Sequence, residues 1–258
     1  QTMREAVKHW LEDKESARVK YGNISDWDTS KVTDMSGLFL DAHDFNDPIE
    51  NWDTSSVTDM SDMFDCANTF NQPIGNWDTR MVTNMSGMFG YADSFNQPLD
   101  KWDVSSVLDM SGMFASTPFN KEIGTWDVSQ VRDMSKMFSG AEVFNKPLHN
   151  WNVANVLNMS DMFCGAKKFN QRIGNWDVGN VCDMSSMFCM ASNFDQPIND
   201  WDTRNVKTME AMFSFANNFN QPLNGWNVSR VQNMSAMFAS ATSFNQPIDT
   251  WDVSNVNN

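Results

Sequence analysis

The side chains that could carry out catalysis or bind a metal are few and scattered. The three histidines, His9, His43 and His149, stand at unrelated positions along the chain. None has a partner at the spacing of a nucleophile and its base or of a metal-ligand pair. The chain contains no glycine-rich phosphate loop and no His-Glu-x-x-His string. The sequence therefore predicts a protein that is not an enzyme, with no catalytic residue, no cofactor site and no dedicated metal site.

Two of the four cysteines occupy equivalent positions. Cys164 and Cys189 each follow a Met-Phe pair, 25 residues apart. Stacking of equivalent segments would place them side by side, and a disulfide would then require Cα atoms within about 7 Å. A free cysteine commonly packs as a small hydrophobic residue, and we favour that interpretation.

Aspartate and asparagine recur at two further positions. One follows every tryptophan from Trp27 onwards, as at Asp53, and the other precedes Met-Ser, as at Asp59. Repeated carboxylates are compatible with calcium, which takes about six to eight oxygen ligands. Asparagine replaces aspartate freely at both positions, as at Asn152 and Asn158, which favours side-chain capping of turns over a role for charge. We therefore expect turn capping and keep a repeated calcium site as the alternative.

These residues belong to a unit that repeats along almost the whole chain. The tryptophan that opens it stands at Trp27, Trp52, Trp77, Trp102, Trp126, Trp151, Trp176, Trp201, Trp226 and Trp251. The period is 25 residues, with one residue lost before Trp126. A period of this length is typical of a solenoid, in which each unit packs on its neighbours. The sequence thus divides into an N-terminal segment, residues 1–26, and a solenoid of nine repeats and a partial tenth, residues 27–258.

The apolar positions of one unit predict its core and its local structure. In the second unit they are Trp52, Val57, Met60, Met63, Phe64, Ala67, Phe70 and Ile74. Their spacing between Val57 and Ala67 predicts a helix of about two turns, and the methionine rows are read as core filler in preference to a copper site. The pattern favours a right-handed α/β solenoid of the leucine-rich-repeat type, with short helices and short strands about 4.8 Å apart. An all-helical stack is the alternative.

An asparagine follows the last phenylalanine of nearly every unit. Asp195 stands there in one unit, and the asparagines of the others are Asn46, Asn71, Asn96, Asn120, Asn145, Asn170, Asn220 and Asn245. We expect a structural ladder in which each side chain bonds the backbone of the next unit, because buried polar groups need partners.

The first 26 residues lack the repeat and have a different pattern. Met3, Val7, Trp10 and Leu11 have the spacing of the apolar face of a helix. We expect one amphipathic helix that covers the core of the first unit.

Composition argues against two classes of partner. The formal net charge is −15, so the field of the chain opposes binding to nucleic acid and to anionic membranes. No run of 18 or more apolar residues occurs, so we expect no membrane insertion in this segment.

The unit W-[DN]-[TV]-S-x-V-x-[DN]-M-S-x-M-F-x-x-A-x-x-F-N-x-P-[IL] resembles the mycoplasma-lipoprotein-type surface repeats that are grouped with BspA-like leucine-rich repeats. The resemblance covers about residues 24–258. It implies a right-handed solenoid on the cell surface or in the extracellular space, which attaches to a protein or glycan ligand on another cell or on matrix. It supplies no catalytic residue.

A binding module is therefore the favoured function. The alternative is a structural spacer, or stalk, of a larger surface protein, and calcium could stabilise such a stalk. The position after the valine is one that varies from unit to unit, and we take Arg132 and Lys207 from it as a candidate binding face. To these we add two aromatic residues from a second position, Tyr91 and Phe215.

Overall fold

The N-terminal segment folds into two helices, where the sequence predicts one. The computed structural model describes residues 2–258. Helix α1 is Met3–Glu12 and helix α2 is Lys14–Tyr21, followed by a short 3₁₀ turn, Ile24–Asp26. Asp13 lies between the helices, and its carboxylate accepts a hydrogen bond from the Ser16 N–H at 3.0 Å. The single-helix prediction is wrong because this N-cap begins a new helix.

Both helices pack on the first repeat. Val7, Trp10 and Ala17 are buried in a core that is continuous with that of the solenoid. The Trp10 ring meets Trp27 edge to face at 5.7 Å, and its Nε1–H donates to Asp47 at 2.8 Å. The first repeat is therefore covered on its N-terminal side.

The remainder of the described chain is a stack of coils. We number them so that each coil runs from one tryptophan to the residue before the next, and coil 2 is residues 52–76. Parallel bridges between isolated residues join neighbouring coils, as at Asp59 with Asn84 and Asn84 with Asp109. Among residues 27–258 there is no helix and no strand of more than one bridged residue. The prediction of short helices and strands in each coil is therefore wrong, whereas the repeat solenoid is present.

The backbone hydrogen bonds explain why no helix forms. Alternate N–H groups of coil 2 donate to carbonyl oxygens of coil 3 at 2.8 to 3.0 Å; the donors are Met60, Asp62, Phe64 and Cys66. The N–H groups between them, those of Met63, Asp65 and Ala67, donate to the carbonyl three residues earlier at 3.0 to 3.3 Å. Half of the donors thus point to the next coil, and these cannot make the i to i−4 bonds of an α-helix.

Two residues in each of the nine coils have a left-handed backbone. In coil 2 these are Asp62, with φ 51°, and Cys66, with φ 57°. Glycine takes the first of these positions in other coils, at Gly87 and Gly112. Residues with φ near +55° interrupt a right-handed helix. The backbone of each coil therefore changes direction at these two residues, and the apolar side chains remain in the core.

The core consists of stacked columns of the same or similar side chains. All eight positions predicted for coil 2 are buried, which confirms the core prediction. Phe64 stacks on Phe39 at 5.5 Å and on Phe89 at 5.7 Å in the adjacent coils, and on Phe70 of its own coil at 3.9 Å. Because each ring has a neighbour above and below, stability is shared along the axis.

Candidate functional site

The histidines lie in separate surroundings and share no site. The His9 ring bonds the Ser16 hydroxyl at 3.0 Å, and the His43 ring bonds the Cys66 carbonyl at 2.9 Å. The latter bond is the main reason that the pKa of His43 is raised. Within residues 2–258, no group of three or more His, Cys, Asp or Glu side chains is arranged to hold a metal ion.

Cys164 and Cys189 occupy neighbouring coils, as the sequence indicates. Both are free thiols and half-buried. Burial raises the pKa of Cys164 to about 12, and it also raises the pKa of Cys189. Thiols with such pKa values are mostly protonated near neutral pH, and a protonated thiol is a poor nucleophile.

The aspartate that follows each tryptophan caps a turn. The Asp53 Oδ1 atom accepts from the Ser55 N–H at 3.0 Å and from the Ser55 hydroxyl at 2.6 Å. These bonds lower the pKa of Asp53. Asn227 makes the same two bonds with Ser229. The interchange of aspartate with asparagine follows because each needs only one acceptor oxygen.

The second acidic position caps another turn in the same manner. Asp59 Oδ1 accepts from the Ser61 N–H at 2.8 Å and from its hydroxyl at 2.7 Å. The Asn84 amide of the next coil donates to Asp59 Oδ2 at 3.4 Å. Aspartate beside asparagine thus forms a contact where two neighbouring carboxylates would repel.

The asparagine ladder runs through all nine coils. The Asn145 Oδ1 atom accepts from the Asn170 N–H at 2.9 Å and from the Gln171 amide at 2.9 Å. The other asparagines of the ladder that precede another coil, Asn46, Asn71, Asn96, Asn120, Asn170 and Asn220, also accept a backbone N–H of the next coil. Asn245 donates its own N–H to Asn220 at 2.9 Å. Asp195 keeps the acceptor role with the Asn220 N–H, also at 2.9 Å, which explains why this one exception fits.

The four residues of the candidate binding face do not come together. Arg132 and Lys207 share one column, directly after the buried valine of each coil. Tyr91 and Phe215 lie in the second left-handed column, with φ 53° and 56°. Both aromatic rings are exposed, but they belong to coils 3 and 8. The structure therefore separates a surface that contains Arg132 and Lys207 from two isolated aromatic residues.

That surface has no acidic residue along its entire length. We define the acid-free face as the two residues that flank the valine of each coil, such as Ser56 and Thr58 around Val57. No aspartate or glutamate occurs at these positions, although the chain has 33 of them. The face instead carries four basic residues, Lys31, Arg132, Lys207 and Arg230, and three exposed aliphatic residues, Met81, Leu108 and Leu157. Met81 and Arg230 precede a valine, so a search confined to the variable position after it misses them.

A continuous backbone ladder supports the second column of this face. Each N–H donates to the carbonyl of the preceding coil at 2.8 to 2.9 Å, in the order Thr83, Leu108, Arg132, Leu157, Cys182, Lys207 and Gln232. These side chains therefore lie on consecutive coils, and we call each such position of the ladder a rung. From Leu157 to Asn255 the two columns line a shallow depression of about 610 Å³, which includes Lys207 and Arg230. Arg132 lies on the same column outside the depression.

Asparagine side chains fix the floor of the depression. The Asn180 amide donates to the Ala154 carbonyl at 2.8 Å, and the Asn205 amide donates to the Gly179 carbonyl at 2.7 Å. The Asn205 Oδ1 atom in turn accepts from Arg230 at 2.9 Å. These bonds order the polar groups of the depression before any ligand arrives, which lowers the entropy cost of binding.

Comparison with protein families identifies the repeat. A sequence model described as "Mycoplasma protein of unknown function, DUF285" matches residues 5–118, 99–181 and 170–258. The chain belongs to this family. A search of curated protein sequences gave no match.

Comparison with solved structures gives distant similarities to this DUF285 chain. An internalin (InlF) from Listeria monocytogenes has 8% identity and a TM-score of 0.27, over 81% of this chain and 68% of that one. A TLR13–ssRNA13 complex has 7% identity and a TM-score of 0.20, over 86% and 49%. At these TM-scores neither comparison supports a conclusion, and the solenoid is established by the hydrogen bonds and stacked rings of the chain itself. In residues 2–258 no helix is long and apolar enough to cross a membrane.

Proposed function

We propose that this chain is a non-catalytic binding scaffold that acts in adhesion at a cell surface or outside the cell. Its ligand is a protein or glycan on another cell or on matrix, and the acid-free face receives it. The observation that carries the proposal is the combination of exposed aliphatic and basic residues on consecutive rungs without a carboxylate. A ligand that covers the exposed side chains of Met81, Leu108 and Leu157 removes their apolar surface from water, which favours binding.

The rigidity of the solenoid backbone is suited to a binding scaffold. The backbone of the face is held by inter-coil hydrogen bonds, so its side chains are presented at fixed spacing. A regular, rigid surface loses little conformational entropy on binding. A structural spacer is the second candidate function. The near-uniform turns and hydrogen-bond ladders of the coils favour a spacer, because these features stabilise the solenoid without any ligand.

A binding screen distinguishes the two functions. The purified chain is applied to immobilised glycans and matrix proteins at physiological and at high salt. The test variant is Arg132→Ser/Lys207→Ser, and the matched control is Lys168→Ser/Arg172→Ser, which removes two exposed charges outside the face, on coil 6. Saturable binding that the test variant loses and the control keeps supports the scaffold. Absence of binding to every glycan and matrix protein of the panel supports the spacer.

A further inference from the structure

We propose that the acid-free face binds an extended, acidic segment of a partner protein. This inference rests on the proposed function and adds the chemistry of the ligand. It also assigns positions to the ligand side chains.

The basic groups of the face are available to a ligand. Arg132 and Lys207 are exposed, and neither forms an ion pair within the described part of the chain. Asp202 pairs with Arg204 at 2.8 Å. Asp133, next to Arg132 in the chain, accepts from the Ser135 N–H at 2.8 Å and keeps its charge. Charges more than about 8 Å away are largely screened at physiological salt, so a ligand at the face meets Arg132 and Lys207 and the neighbouring Asp133 more strongly than the net charge of −15.

The aliphatic residues of the face alternate with the bases. Leu108 and Leu157 occupy the rungs directly before and after Arg132 and are 42% and 48% exposed. A ligand that carried only charge would leave both leucines in contact with water. Aliphatic side chains on the ligand would cover them, which is favourable because apolar surface leaves water.

The spacing of the rungs gives the pattern of the ligand. With rungs about 4.8 Å apart, Arg132 and Lys207, three rungs apart, are separated by about 14 Å. Alternate side chains of an extended peptide are about 6.7 Å apart on one side, so residues i and i+4 span about 13 Å. The ligand pattern is therefore acid-x-aliphatic-x-acid, with the aliphatic residue over Leu157 and the acids against Arg132 and Lys207.

The same spacing argues against a sulfated polysaccharide. Such a chain carries anionic groups at short intervals and gains from a dense run of bases. Between Arg132 and Lys207 the face offers Leu157 and Cys182, neither of which is a base. A protein segment uses both the charges and the leucines.

The test uses a designed probe. It is a fluorescein-labelled ten-residue peptide with leucine at its second and sixth positions, aspartate at its fourth and eighth, and serine elsewhere. Fluorescence polarisation at low salt measures its affinity for the whole chain. We expect saturable binding that weakens about tenfold in Arg132→Glu/Lys207→Glu and by less than about twofold in the matched control Lys168→Glu/Arg172→Glu. We also expect weaker binding of a peptide whose aspartates are adjacent, because only one can then meet a base.

Three outcomes would overturn the proposal. The first is equal loss of affinity in the test and control variants, which would indicate a non-specific charge effect. The second is binding of heparin, lost in the test variant, together with no binding of the peptide; the ligand class would then be wrong, although the proposed scaffold function would stand. The third is absence of binding both to the peptide and throughout the glycan and matrix panel, which would remove the scaffold function as well.

Discussion

The indole Nε1–H of Trp176 donates a hydrogen bond to the backbone carbonyl of Leu148, 3.0 Å away and 28 residues earlier. The same bond links Trp102 to Ile74 at 3.1 Å and Trp226 to Ile198 at 2.9 Å. Each of these three tryptophans thus adds a hydrogen bond to a carbonyl of an earlier coil while its ring fills the core. The Leu148 carbonyl also accepts from the Trp151 N–H at 3.1 Å, so a phenylalanine would fill part of the space and remove one of the two hydrogen bonds to that oxygen.

This relationship predicts the effect of Trp176→Phe. Loss of the indole hydrogen bond costs about 0.5 to 1.5 kcal/mol, and the smaller ring leaves a void, so we expect the free energy of unfolding to fall by about 1 to 3 kcal/mol. Urea denaturation measures it. The control is Trp251→Phe in the last, half-buried position, which should lose less than half as much. Equal losses at both positions would contradict the role of burial.

The asparagine ladder predicts a contrast between two substitutions of Asn145. Asn145→Asp keeps the acceptor oxygen for the Asn170 N–H and should change stability by less than about 0.5 kcal/mol, as Asp195 illustrates. Asn145→Ala removes the acceptor and should cost about 1 to 2 kcal/mol. Thermal and urea unfolding of the two variants provide the comparison. If aspartate proved as costly as alanine, the ladder would depend on the amide group and not on its oxygen.

Much of the fold can be predicted from the sequence because the repeats act as copies of one another. The columns of tryptophan, phenylalanine and asparagine follow directly from the period, and the structure buries the predicted core. The helices cannot be predicted correctly, since turns with i to i−3 bonds and a helix give the same spacing for Met60, Met63, Phe64 and Ala67. The overlooked signal is glycine at both left-handed positions, as at Gly112 and Gly165.

The left-handed positions make a test of their own. Ala211 has φ 50°, a conformation that costs a non-glycine residue about 1 to 2 kcal/mol. Glycine loses about 0.5 to 1 kcal/mol through its greater freedom in the unfolded chain, so Ala211→Gly should stabilise by about 0.5 to 1 kcal/mol. The matched control is Ala154→Gly, at a half-buried position without positive φ, which should destabilise. A loss of stability in both variants would contradict a left-handed backbone at Ala211.

A pH dependence follows from Asp161. Burial, followed by the neighbouring charge of Asp183, raises its pKa, and Lys136 opposes the shift. The pKa of this carboxyl group is higher in the folded chain than in the unfolded chain, where it is about 3.9. The free energy of unfolding therefore falls as the pH rises from about 3.9 through the pKa of the folded chain. Asp161→Asn removes this penalty and suits the φ of 55°.

We therefore expect Asp161→Asn to be more stable than the parent at pH 7 and equal to it near pH 3. Urea midpoints across this range measure the difference. A stability difference that stayed constant with pH would mean that Asp161 does not titrate as described.

The binding surface is only partly predictable. The variable position after the valine leads to Arg132 and Lys207, and counting acids by column would have found the acid-free face. The sequence alone does not show that both flanking columns line one depression, or that Tyr91 and Phe215 lie in a different column. The relative position of these columns depends on the path of the backbone between the valine and the second left-handed residue of each coil. The two left-handed residues determine that path.

The most direct test of the binding surface uses two methionines as reporters. Met81 lies on the acid-free face and is 53% exposed, whereas Met190 lies in the second left-handed column and is 51% exposed. With methyl-labelled methionine, NMR follows both during titration with the acidic peptide, and Met81→Leu and Met190→Leu assign the signals. We predict a saturable shift of Met81 with the affinity found by fluorescence and no shift of Met190. A shift of Met190 with Met81 unchanged would contradict the assignment of the acid-free face as the binding surface.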